Sequence, residues 1–166
     1  MVTTVPALAV PVVASVTETA FGTATMDHYV NMPATVNASD LLIVLLTNDR
    51  NESVTTPGGW SLLASDANGA YVRLSVYYDI ATGTEGGTTV DFVTSAAEEA
   101  AAQVYRISNC HGTTPPEIST AATGTDTAPE TAIANVPVVF QYPNRTNPAN
   151  RIARITKNGF FTSTLS

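Results

Sequence analysis

The feature that most constrains this chain is a side-chain period of two. It is sharpest over residues 71–78. Val72, Leu74, Val76 and Tyr78 fall on one face, and Tyr71, Arg73, Ser75 and Tyr77 fall on the other. Successive side chains of an extended backbone point to opposite sides, so this alternation predicts a half-buried strand with its apolar set inward. Further strands are expected at 10–18, 28–32, 60–64, 88–93 and about 101–108. The run LLIVLL at 41–46 has no polar side and reads as a strand buried on both faces. The run AAEEAAA at 96–102 has high helix propensity, and at most one helical turn is expected there.

Turn chemistry separates these segments. It comprises Asn37 to Asp40, a polar loop at 47–53, Pro57-Gly58-Gly59, Asp66 to Gly69, and Gly83 with Gly86-Gly87. Short strands at this spacing predict an all-β chain, an antiparallel β-sandwich of jelly-roll-like form. Composition agrees. There are 26 threonines, and charged residues are 13% of the chain, against about 25% in typical globular domains. Residues 1–111 are expected to form the sandwich body with a short N-terminal lead-in. Residues 112–130, rich in Thr, Pro, Gly and Ala, are expected to be a linker or long loop. Residues 131–166 would supply closing strands at 133–140, 152–156 and about 160–165, or an extended C-terminal arm.

Charge is divided between these parts. Residues 1–130 hold all 14 acidic residues and three arginines, a net of −11, whereas the remainder holds Arg145, Arg151, Arg154 and Lys157 and no acid. A body this acidic repels nucleic acid. The four basic residues are expected to contact an acidic surface of the same subunit, a neighbouring copy or a capsid shell. The longest apolar run, 41–46, is far shorter than the roughly 20 residues a membrane helix needs. The apolar N-terminus lacks a basic residue and is interrupted by Pro6 and Pro11, so no secretion signal is expected. Cys110 is alone in the sequence, which excludes an internal disulfide and a cysteine-cluster metal site.

No set of nucleophile, base and stabiliser emerges. His28 and His111 have no zinc-type spacing. Cys110 and His111 are neighbours on an extended chain and so point apart. Glu98-Glu99 lacks a partner carboxylate at a recognisable position and reads as a solvated turn. Asp66, Asn68 and Gly69 lack the rest of a calcium loop. The expectation is a non-enzyme with no catalytic residue, no cofactor and no metal. Trp60, the single tryptophan, follows Pro57 and Gly59; the reading is a core anchor at a loop-to-strand corner. Tyr71 and Tyr77, on the polar face of their strand, are candidates for stacking on a sugar, the alternative being plain surface or interface tyrosines.

At Asp40 an order of motifs begins: SDLLIVLL, then TTPGGWSLLA, then VRLSVYYDIATGTE, then a Thr-rich strand, then AAQVYRISN. Over residues 10–110 this resembles a β-sandwich domain frequent in phage virion proteins. The matching positions are Asp40, Leu41 and Leu42; Pro57, Gly59 and Trp60; Tyr78, Ala81 and Glu85; and Tyr105 with Arg106. Asp79 stands where that family usually has lysine. The resemblance implies a virion component made in a bacterial host: a head decoration or cement protein, a head fibre or a tail-fibre module. Short length and the lack of fibrous repeats favour head decoration. Its partners would be further copies of itself, a trimer suiting the three-fold sites of a capsid, and the major capsid protein or a tail component. The alternative is a tail-fibre or host-recognition module that binds surface carbohydrate.

Overall fold

The computed structural model describes residues 10–110, 115–117, 138–142 and 151–155. Among them the chain is all-β, without a helix. The strands are β1 (Val12–Asn31), β2 (Leu41–Asp49), β3 (Val54–Thr55), β4 (Ser61–Asn68), β5 (Val72–Ile80), β6 (Thr89–Ser108), β7 (Val138–Tyr142) and β8 (Arg151–Ile155). Six of them form one antiparallel sheet in the order β1-β6-β2-β5-β4, with β3 paired to β6; β7 and β8 form a separate hairpin. The expected linker at 112–130 lies outside the described residues except for 115–117, as does the strand expected at 160–165.

The sheet is organised by two 20-residue strands, β1 and β6, paired along their whole length. That ribbon is sharply bent. Phe21 and His28, seven residues apart on β1, bring their ring centroids to 4.9 Å. The Asn31 N–H donates to Thr19 Oγ1 at 3.0 Å. Extended backbone would place residues that far apart about 40 Å from one another. The bend coincides with two register shifts, between Phe21 and Thr25 and between Thr25 and Asp27, which act as bulges that turn the strands. The segments expected as separate strands at 10–18 and 28–32 are thus two arms of one strand.

The same ribbon overturns the helical turn expected at 96–102. Those residues are central to β6, where 98–102 lie opposite 19–25 of β1. Cross-strand packing decides against helix propensity here: Ala100 and Ala102 provide the small side chains that fit beside Phe21 and Leu46. Glu98 is 2% exposed, and both glutamates lie within β6, so the solvated-turn reading of Glu98-Glu99 fails; only the solvation of Glu99, which is exposed, remains of it.

The fold-back creates the main core. One arm supplies Val30 and Phe92; the other supplies Val104, with Leu42, Val44 and Leu46 of β2 and Tyr77 of β5 beside it, joined by Val36 and Ala81 from the connections. Tyr77 and Phe92 rings meet at 4.9 Å. This corrects the assignment of Tyr77 as a surface stacking residue. It is 1% exposed and Ser75 likewise, while Leu74, on the face expected to be inward, is 42% exposed. The alternation along β5 is real, but the bent ribbon covers the face that looks polar. A second apolar cluster, Leu41, Ile43, Val76 and Ile107, lies on the opposite face of the sheet. With both its faces packed and a strand on either side, β2 is the central strand that LLIVLL suggests.

The contrast between the tyrosines is measurable. By urea denaturation, Tyr77→Ala is expected to cost about 3–5 kcal/mol, whereas Tyr71→Ala, at a residue 81% exposed, is expected to stay within about 0.5 kcal/mol of wild type.

Candidate functional site

Trp60 sits where a β-turn delivers the chain into β4. Its N–H donates to the Pro57 carbonyl at 3.2 Å. Gly59, the third residue of that turn, has φ +87°, the left-handed value a type II turn requires there. The half-buried indole packs on the main core and meets Phe92 edge to face at 5.8 Å. Pro57, Gly59 and Trp60 therefore act together in fixing this corner.

Asp40 and Arg106 form a buried ion pair, with side chains 7% and 13% exposed. The same Asp40 oxygen accepts the Asn37 N–H at 2.8 Å. Ala81 is bonded to this turn through both its backbone groups: its N–H donates to the Asp40 carbonyl and its carbonyl accepts the Ser39 N–H, each at 2.8 Å. Removing either charge would leave the other buried without a counterion.

Glu85 organises the next loop. Its carboxylate accepts the Thr82 N–H at 2.9 Å, the Thr82 hydroxyl at 2.6 Å and the Gly83 N–H at 2.9 Å. Burial raises its pKa, but these hydrogen bonds and one from its own backbone outweigh burial and hold it at about 2, below the ordinary 4.5. Gly83 has φ +96°, and a Cβ there would come within 3.0 Å of the Ala38 nitrogen. Only glycine allows this loop to lie against residues 34–38.

A buried polar corner lies inside the bend. His28 is fully buried, with Nε2 3.2 Å from Thr94 Oγ1 and Nδ1 without a hydrogen-bond partner among the described residues. Burial lowers the His28 pKa from 6.5; Asp91 and Asp27 oppose this more weakly. The buried Asn48 donates through Nδ2 to the carbonyls of Asp49 and Glu52 and so ties the loop after β2. Glu98 faces Arg50 at 3.7 Å. The sequence reading missed this corner. Its signal was available: Glu98, Ala100, Ala102 and Val104 continue the period of two through AAEEAAA.

Among the described residues a cleft of about 370 Å³ lies beside Tyr71. It is lined by the exposed Ala20, Gly22, Thr47, Asp49, Tyr71, Glu99 and Ala101, backed by Phe21, Asn48 and Ala100. The structure thus separates the three aromatic candidates: Tyr77 is in the core, Trp60 is half-buried at its edge, and Tyr71 alone of the three stands exposed in a cleft. Of the basic candidates, Arg151 and Arg154 lie on β8, opposite Tyr142 and Val139. Arg145 and Lys157 lie outside the described residues. The Cys110 thiol is half-buried and 3.5 Å from the Ile107 carbonyl; His111 lies outside the described residues. No group of three or more His, Cys, Asp or Glu able to hold a metal ion occurs among the described residues, and no helix there is long and apolar enough to cross a membrane.

Two groups with depressed pKa values, His28 and Glu85, predict two acid windows. Both folded pKa values are depressed, so stability is greatest above the unfolded value and falls as pH drops toward the folded one. His28 acts below about pH 6.5 and Glu85 between about 4.5 and 2. In thermal melts from pH 7.5 to 2.5, His28→Gln should remove the first decline. Glu85→Gln should flatten the second and cost about 1–2 kcal/mol at neutral pH.

Compared with protein-family models, curated proteins and solved structures, the chain matches none.

Proposed function

We propose that this chain is a non-enzymatic structural component of a phage virion, a head decoration protein that works through self-association and contacts with the capsid shell. The finer architecture belonging to this reading is a β-sandwich whose layers are the two arms of the bent ribbon, with residues 131–166 reaching a neighbour or the shell. The observation that carries it is the state of the sheet edges. Among the described residues β1 pairs only with β6, and β4 pairs only with β5. Edge strands of monomeric proteins are usually guarded by lysine, proline or short length. β1 carries bulges, chiefly at its bend, but no lysine or proline: it runs 20 residues, carries Glu18 and Asp27 as its only charges, and leaves Val12 and Val16 about half exposed at 50% and 46%. On β4, Leu62 is 48% exposed. Such edges suit pairing with a further strand.

The residues behind the virion resemblance also lend support, because they meet in space. Asp40 pairs with Arg106, Ala81 bonds to the turn holding Asp40, and Leu42 and Trp60 share one core. A decoration protein that binds the assembled shell and not its open form would stabilise the shell by mass action.

Sedimentation velocity of the full chain is expected to show an oligomer, with a trimer suiting a three-fold capsid site. Val12→Lys with Val16→Lys should shift it to monomer without lowering the melting temperature. Deleting residues 145–166 should abolish attachment to phage heads. A chain that stays monomeric at every concentration, or immunogold labelling confined to tails, overturns the decoration reading.

A further inference from the structure

We infer that the cleft beside Tyr71 is a binding site for a neutral pyranose. This goes beyond the structural role proposed above and does not depend on it.

The register gives the cleft its shape. Ala20 of β1 lies opposite Ala101 of β6, and Ala101 lies opposite Thr47 of β2. Directly opposed residues share a face of the sheet, so three small exposed side chains lie in a row across three strands. Their size leaves a shallow floor with apolar methyl groups and one hydroxyl.

Tyr71 forms one wall. It lies in the turn between β4 and β5 and is 81% exposed. Its backbone is nonetheless tied on both sides: its N–H donates to the Asn68 carbonyl at 3.3 Å, and its carbonyl accepts the Arg50 N–H at 2.8 Å. The ring lies beside Gly69, where a Cβ would be 3.7 Å from Tyr71 Cδ2. Gly69 has φ +60°, so the turn favours glycine at this point. An exposed aromatic ring held by a tied backbone is pre-organised for contact.

The rim supplies polar groups. Asp49 and Glu99 are exposed carboxylates lining the cleft. Carboxylates accept hydrogen bonds from hydroxyls, and the Thr47 hydroxyl can donate or accept. A pyranose presents C–H groups on a face and hydroxyls around its edge. The aromatic wall and methyl floor match the first, and the carboxylate rim matches the second. Two carboxylates disfavour an anionic ligand. A cationic group would be attracted by one aromatic face and two carboxylates as well, but it would make no use of the methyl floor, and the experiment below separates the two. About 370 Å³ lies at the small end of the usual range for ligand sites and suits one or two sugar units.

The full chain should be applied to an array of neutral and charged glycans, and hits titrated as free methyl glycosides by saturation-transfer NMR. The expected result is binding of neutral hexose-containing glycans. Tyr71→Ala should weaken it at least tenfold with an unchanged melting temperature, Tyr71→Phe should retain it, and Glu99→Gln should weaken it several-fold. No glycan bound at millimolar concentration, binding indifferent to Tyr71→Ala, or retention of amines and lysine peptides alone would each overturn the inference. Oligomerisation and head attachment are read separately, so failure here leaves the structural reading standing.

Discussion

The bend in the β1–β6 ribbon is the constraint on which the rest of the structure depends. Two antiparallel strands of 20 residues cannot bury a face while straight. Folding them back brings Phe92 onto Tyr77 and Trp60, and the apolar area removed from water in that contact is the main driving term. The connections follow from the bend. β2 pairs with one arm of β6, at residues 100–107, and β3 pairs with the other, at Val93 and Thr94. Residues 49–53 must therefore cross the corner, and the buried Asn48 amide holds them as they do.

Bending has a polar consequence. Side-chain groups at the corner lose water; His28, Thr94 and Asn48 find internal hydrogen-bond partners, and Glu98 is left facing Arg50 at 3.7 Å. Thr94 shows how crowded the arrangement is: its hydroxyl lies 2.7 Å from the Ala96 carbonyl and 3.2 Å from His28 Nε2. The buried histidine touches Phe21 and Thr94 and feels the charges of Asp91 and Asp27, and its contacts span the bend of the strand. At the other end of the sheet, the Asp40–Arg106 pair and the Glu85-capped loop hold the connections around β2 and β5.

Of the two tyrosines that the sequence places on one face, only Tyr71 is exposed, and the reason is definable. Tyr71 and Tyr77 share a parity along the strand, so a period-two reading places them on one face. Tyr77 lies within β5 beneath the second arm, while Tyr71 precedes the strand in its turn, beyond the reach of that arm. Parity is local; the covering of a face depends on β6 residues about 15 positions further on. The cleft was not legible either, because its floor is assembled from Ala20, Thr47 and Ala101 on three strands.

By itself the sequence determined the all-β class, the central position of LLIVLL, the turn at Pro57-Gly58-Gly59 with Trp60 beyond it, and a strand over 71–78. These follow from local rules: side-chain period, left-handed φ at glycine, and the absence of a polar side in 41–46. Only the tertiary structure decided that two expected strands are one bent strand, that AAEEAAA is extended, and that the polar-looking face of β5 is the covered one. The physical reason is common to all three. Each depends on which surface the folded-back ribbon removes from water, and that is a property of residues far apart in the chain.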